Sequence, residues 1–154
     1  MRKRIIASSP GAGAPEERVW LDVEKNDQVE ITSETPDNPI DSALVSGTDS
    51  GWMAAQSGEQ TMRLLFDEPK KIRHIRLVFV ENNYARTQEF VLRWSKDGKT
   101  FHEIVRQQYN FNPPGTEVEE YDVNLDGVTA IELKIIPDIG GGPAIASLAE
   151  LRLA

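Results

Sequence analysis

Alternation with a period of two runs through most of this chain, and no segment carries a 3.6-residue apolar stripe with caps. Val29 and Ile31 alternate with Gln28, Glu30 and Thr32; Met62, Leu64 and Phe66 with Arg63 and Leu65; Ile75, Leu77 and Phe79 with Arg76 and Val78. The pattern continues in Phe90, Leu92 and Trp94, in Val105, Gln107, Tyr109 and Phe111, in Tyr121, Val123 and Leu125, in Ile131, Leu133 and Ile135, and in Ala149, Leu151 and Leu153. Each run puts one face of a strand inside and the other outside. Turn signals separate them: Asp67-Glu68-Pro69, Asn82-Asn83, Lys96-Asp97-Gly98, Asn112-Pro113-Pro114-Gly115, Asp126-Gly127 and Pro137 through Pro143. Seven or eight strands punctuated in this way predict an all-β fold, an antiparallel β-sandwich. Asp41 to Val45 is expected to form one short helical turn.

The 154 residues suit one core. Residues 1–18, with Ser8-Ser9-Pro10-Gly11-Ala12-Gly13-Ala14-Pro15, read as a flexible leader, and 19–154 as a single domain whose arm, 19–27, carries Val19-Trp20-Leu21. No run of about 18 apolar residues is present, so no membrane-spanning helix is expected. Basic Met1-Arg2-Lys3-Arg4 is followed by too short an apolar stretch for a secretion signal. There are no cysteines, which excludes thiol catalysis, disulfides and thiolate-bound zinc and agrees with a cytoplasmic setting. With 17 Lys and Arg against 25 Asp and Glu, the net charge of −8 opposes nucleic acid as a partner. No membrane partner is expected either.

The order of several motifs resembles the discoidin, or coagulation-factor type C, family. Gly47-Thr48-Asp49-Ser50-Gly51-Trp52 is similar to a family loop in which Gly and Ser or Thr precede Trp. Gly58 through Pro69 and Ile72 resembles the strand ending in Asp/Asn-x-Pro. Phe90 through Trp94 runs into Ser95-Lys96-Asp97-Gly98-Lys99-Thr100-Phe101, a hairpin in which Asp97-Gly98 turns tightly and Phe101 is expected to return to the core. Ala146 through Leu153 is similar to the closing strand with its Glu. The resemblance covers residues 28–154 and implies a discoidin-like, galactose-binding-like jelly roll of about eight strands.

Catalysis has little support. His74 and His102 both lie on presumed outer strand faces and share no metal spacing, and Gly140-Gly141-Gly142 precedes Pro143 rather than a helix. The expectation is a module that is not an enzyme and needs no cofactor. The resemblance raises one metal question, a structural calcium between the loop before Trp52 and the closing-strand Glu. Ser46, Asp49 and Glu150 are the candidate ligands, with Thr48 and Ser50 nearby, but Ser46-Gly47 stands where the family often has Asp-Gly, which leaves the set a carboxylate short.

Sugar-binding relatives carry an Arg, an Asn and an aromatic on loops at one end of the sandwich. Planar polar groups match hydroxyl pairs, and an aromatic covers the apolar face of a sugar ring. The candidate ligand residues by that analogy are Asn82, Asn83, Tyr84 and Arg86, then Gln108, Tyr109 and Asn110 in a second loop, with Trp52 nearby. The glycines between Ile139 and Pro143 stand where such relatives often present an aromatic. Trp94 belongs to the core by its strand position, and Arg86 has Glu81 and Glu89 as acidic neighbours. The resemblance therefore implies carbohydrate binding. The alternative is an intracellular protein-interaction domain, as in the N-terminal domain of the X-ray-repair scaffold protein, with Trp20, Tyr84, Tyr109 and Phe111 as an aromatic patch.

Overall fold

The computed structural model describes residues 19–22, 27–45 and 51–154. The expected leader, 1–18, lies outside the described residues. The elements are β1 (Gln28–Ile31), α1 (Asp41–Leu44), β2 (Trp52–Ser57), β3 (Gln60–Glu81), β4 (Arg86–Ser95), β5 (His102–Phe111), β6 (Gly115–Ile136), β7 (Ile145–Leu148) and β8 (Glu150–Leu153). Every strand pairing is antiparallel.

Two of the expected turns are bends within strands. Asp67-Glu68-Pro69 lies inside β3 and Asp126-Gly127 inside β6, and the two strands pair along almost their whole length. The register shifts between Leu65 and Lys70, again before Ile72, and again before His74. Such bulges add residues to one strand and sharpen its bend. On one side of the bend, β3 pairs with β1; on the other, Ile75–Val78 pairs with Leu153–Glu150 of β8. The order β1-β3-β6-β4-β5 therefore folds over into a second layer through the long β3–β6 pair, with β2 and β7 as a separate small sheet.

The core lies between the layers. Ile72, Ile75, Leu77 and Phe79 of β3 meet Phe90 and Leu92 of β4, Ile131 and Leu133 of β6, and Phe111. The Phe79 and Phe90 rings stand 5.3 Å apart. Each such side chain contributes about 1.5–3 kcal/mol when fully buried. Trp94 is half-buried against this core rather than inside it.

His74 keeps its expected outer face, opposite Asp122 and one step from the Arg76–Glu120 pair. Ile75 is buried in the core, and His74 is buried on the opposite face, covered by Trp20 and by its carboxylate partners. His74 Nδ1 lies 2.9 Å from Asp122 and Nε2 lies 3.1 Å from Glu120. Trp20 stacks 5.8 Å from the imidazole, and the Leu21 amide donates to the Leu153 carbonyl, so residues 20–21 pack on β8. His102 is exposed.

The Ser95–Thr100 turn is held by its own side chains. Asp97 Oδ1 accepts the amides of Lys99 and Thr100, each at 2.8 Å, and Ser95 Oγ accepts the Gly98 amide at 2.8 Å. Those amide bonds and the Ser95 hydroxyl lower the Asp97 carboxyl to about 2. The Asp-Gly motif is thus a turn lock, with Gly98 at a φ of +75°.

Candidate functional site

At one end of the sandwich β3 stops at Glu81, β4 starts at Arg86, and β6 gives way to the 137–144 loop. Three backbone or side-chain bonds draw that loop in. The Ile139 amide donates to the Thr87 carbonyl at 2.8 Å, Arg86 Nη1 donates to the Pro137 carbonyl at 2.8 Å, and the Gly58 amide donates to the Ala144 carbonyl at 3.3 Å. The result is a groove of about 550 Å³. One wall is Val80 through Arg86; the other is Asp138 and Pro143 to Ile145, with Ser147 and Met53 completing it.

Asn82, Asn83 and Tyr84 line this groove and are exposed, Tyr84 by 71%. Their loop is shaped by Glu81. One Glu81 oxygen accepts Arg86 Nε at 2.6 Å, and the other accepts the amides of Asn83 and Tyr84 at 3.0 and 3.3 Å. Burial pushes the Glu81 carboxyl up, but the Arg86 guanidinium and the two amides outweigh it and hold the group below its ordinary value. Arg86 is itself buried. Its guanidinium lies 4.6 Å from the centre of the Phe111 ring, and Nη1 also donates to Gln88 Oε1.

The second expected loop is not a loop. Gln108, Tyr109 and Asn110 belong to β5, where they pair with Glu89, Gln88 and Thr87, and they do not line the groove. Asn110 Oδ1 accepts the Thr87 hydroxyl, Gln108 donates to Glu89, and Tyr109 packs edge-on against Phe111. Trp52 lies in the core, 2% exposed, with its indole N–H on the Ser33 carbonyl at 3.0 Å. The expected aromatic patch is divided likewise: Phe111 is buried, Trp20 and Tyr109 are half-buried, and Tyr84 alone of the four is exposed.

Of the candidate calcium ligands, Ser46 and Asp49 lie outside the described residues, as do Thr48 and Ser50. Glu150 stands 3.9 Å from Arg76, which also pairs with Glu120 at 3.3 Å. Among the described residues no three His, Asp or Glu side chains gather as a metal site.

Sequence reasoning missed the far wall. Asp138, Ile145, Ser147 and Met53 sit on short, weakly patterned segments; the Pro-Gly-rich stretch from 137 to 143 marked Asp138, and the closing-strand motif contained Ser147 without pointing to a groove.

The chain matches the F5/8 type C domain family over residues 27–151, and it belongs to that family. Its fold is that of several solved carbohydrate-binding modules. The family 32 module of Clostridium perfringens NanJ, solved with galactose, superposes with a TM-score of 0.62 at 17% identity, covering 82% of this chain and 92% of that one. A family 32 module of the Clostridium perfringens GH89 protein, solved with GalNAc-β-1,3-galactose, gives 0.59 at 20% identity, covering 83% and 94%. The family 32 module of AlyQ, solved with 4,5-unsaturated mannuronic acid, gives 0.64 at 15% identity, covering 89% and 98%. Among curated proteins, none matches the chain by sequence.

Proposed function

We propose that the chain is a non-catalytic carbohydrate-binding module and that saccharide occupies the end groove. The observation that carries this reading is the anchored loop itself. Glu81 pairs with Arg86 and caps the backbone, which leaves Asn82, Asn83 and exposed Tyr84 to face a ligand beside Arg86, whose Nη2 has no hydrogen-bond partner among the described residues. Amides match pairs of sugar hydroxyls, and the Tyr84 ring offers an apolar face. A volume of about 550 Å³ falls within the range of small-ligand sites. The fold neighbours solved with saccharides support the same class of ligand.

A glycan array with the purified chain tests this, followed by titration of any hit against Asn83→Ala and Tyr84→Ala. Selective binding lost in both variants supports the groove. A blank array from folded protein overturns the reading and turns attention to a protein partner, for which lysate pull-down is the next step.

A further inference from the structure

A second recess lies on the outer face of the larger layer, away from the end groove. Four charged residues stand in register there across four neighbouring strands. Glu30 of β1 faces Arg63 of β3, Arg63 faces Glu132 of β6, and Glu132 faces Arg93 of β4. Their strand neighbours Met62, Leu64, Ile131, Leu133 and Leu92 point the other way, into the core. Glu132 is nonetheless only 1% exposed. The Ser95–Phe101 turn folds over it, and Phe101 does not return to the core as its spacing suggested. Its ring instead lies 5.4 Å from the Arg93 guanidinium and 6.0 Å from that of Arg63.

The hydrogen bonds are one-sided. Glu132 Oε2 accepts Arg63 Nε at 2.7 Å, and Oε1 accepts Nε of Arg93 at 2.9 Å together with its Nη2. Arg63 Nη1 reaches Glu30 at 3.6 Å. Arg63 Nη2 and Arg93 Nη1 make no hydrogen bond to the described residues, and the two side chains remain 44% and 36% exposed. Both line a recess of about 590 Å³, with Lys99 on its rim. Arg63, Arg93 and Lys99 against Glu30 and Glu132 give 3 − 2 = +1 there, in a chain of net charge −8.

A purely structural network would need the carboxylate-facing edges of the two guanidiniums and nothing more. The outward edges and Lys99 are surplus to it. Guanidinium is a planar fork that matches oxyanions, and here two forks are already immobilised by Glu132 and Phe101, so little ordering remains to oppose binding. We propose that this recess is an anion-binding site that takes the carboxylate or sulfate group of a small ligand. Arg63 and Arg93 donate to the oxyanion, and Lys99 adds long-range attraction. An acidic saccharide and a free inorganic anion present the same oxygens.

The test is NMR titration of the full chain at low salt with three probes: digalacturonate, galactobiose and sodium sulfate. The expected result is saturable shifts of the Gly98, Lys99 and Phe101 amides with an anionic probe and none there with galactobiose. Saturation by digalacturonate in preference to sulfate identifies an acidic saccharide as occupant; the reverse identifies a free anion. Lys99→Glu should weaken that binding about fivefold, and Glu30→Gln, which removes the competing carboxylate, should strengthen it about threefold, on the scale of exposed ion pairs. Both variants leave the Glu132 clamp intact. No saturable shift with either anion overturns the proposal, as does binding indifferent to both substitutions. The Asn83 and Tyr84 amides report the end groove separately, so failure at one site is distinguishable from failure at the other.

Discussion

Arg86 and Glu81 close the end loop on itself. The Arg86 side chain is 1% exposed and donates Nε to Glu81 at 2.6 Å, and the second Glu81 oxygen caps the amides of the next two loop positions but one, Asn83 and Tyr84. Arg86 therefore positions the loop, and its buried Nη2, without a hydrogen-bond partner among the described residues, is the one guanidinium nitrogen left over. Arg86→Ala leaves the largely buried Glu81 without its cation and should cost about 3 kcal/mol, on the scale of breaking a buried pair. Saccharide binding should fall with it. Urea unfolding and titration calorimetry on the same variant check both; unchanged stability with lost binding would instead put Arg86 on the ligand. The pair also sets an acid-side dependence. Glu81 is held below its ordinary value of 4.5 in the folded chain, so its contribution is present above that value and is lost as pH falls through the depressed one. Parent and variant should converge in stability on acidification.

Tyr84 separates ligand contact from loop architecture. It is 71% exposed, and only its backbone amide takes part in the Glu81 cap. Tyr84→Ala removes the ring and keeps that amide. Binding should weaken about tenfold, equivalent to about 1.4 kcal/mol, with unfolding midpoints unchanged. Tyr84→Phe should retain most of the affinity if the ring face makes the contact. Calorimetric titration of the array hit with both variants decides this.

The alternating strands were legible because alternation is a local signal, as in Met62–Phe66 and Ile75–Phe79. Where one strand ended was not. Asp67-Glu68-Pro69 and Asp126-Gly127 have the composition of turns, yet the first lies between the pairs Leu65–Ala130 and Lys70–Val128 and the second between Lys70–Val128 and Ile72–Leu125, so the pairing continues past both and makes them bends of one long hairpin. β2 was hidden for a different reason, and β7 was read as one closing strand with β8. Trp52-Met53-Ala54-Ala55-Gln56-Ser57 has one large buried side chain and no alternation beyond Ala54, so only pairing with Ile145–Leu148 makes it a strand. At the site, Asn82-Asn83 announced a turn and Tyr84 an exposed ring. The opposite wall arrives through the bonds of Pro137 and Ile139 to Arg86 and Thr87, which no local pattern encodes. Phe101 went astray by the same logic: an aromatic after a turn reads as core, unless two arginines on the outer face offer it a better surface.

Gly51 explains why glycine precedes Trp52. Its φ is +65°, and a Cβ there would come within 2.7 Å of the Leu148 carbonyl oxygen and 2.8 Å of the Ala149 Cα. Both obstacles are backbone, so neither can swing aside. The closing segment between β7 and β8 passes directly over this position, and only a residue without a side chain lets β2 begin there. Gly51→Ala should destabilise by about 2–3 kcal/mol or more, combining left-handed strain with a steric clash. Gly58→Ala is the control: its φ is +87° but nothing lies within 4 Å, so strain acts alone and the loss should be smaller. Urea unfolding of the two variants side by side measures the difference, and equal losses would remove the close approach as the cause.

The open side of the sandwich carries a carboxylate that is out of step with neutral pH. Gln107 of β5 donates to Glu119 Oε1 at 2.6 Å, and Tyr121 of β6 donates to Gln107 Oε1 at 2.5 Å and to Glu119 Oε2 at 3.4 Å. Burial raises the Glu119 carboxyl to about 7, helped by Glu117 two residues away on the same strand face, and the bonds from Gln107 and Tyr121 pull it back only in part. The other group facing this cluster is Tyr109, whose hydroxyl is raised chiefly by its bond to Glu117. Between the ordinary value of 4.5 and about 7 the folded chain keeps a proton that the unfolded chain has lost. Stability therefore falls as pH rises through that window. Glu119→Gln removes the titration while keeping one carbonyl oxygen that can still accept from Gln107. The variant should melt higher than the parent at pH 8 and match it near pH 5. Thermal unfolding followed at both pH values tests the sign, and a gain of equal size at the two would mean that the proton on Glu119 is not what changes.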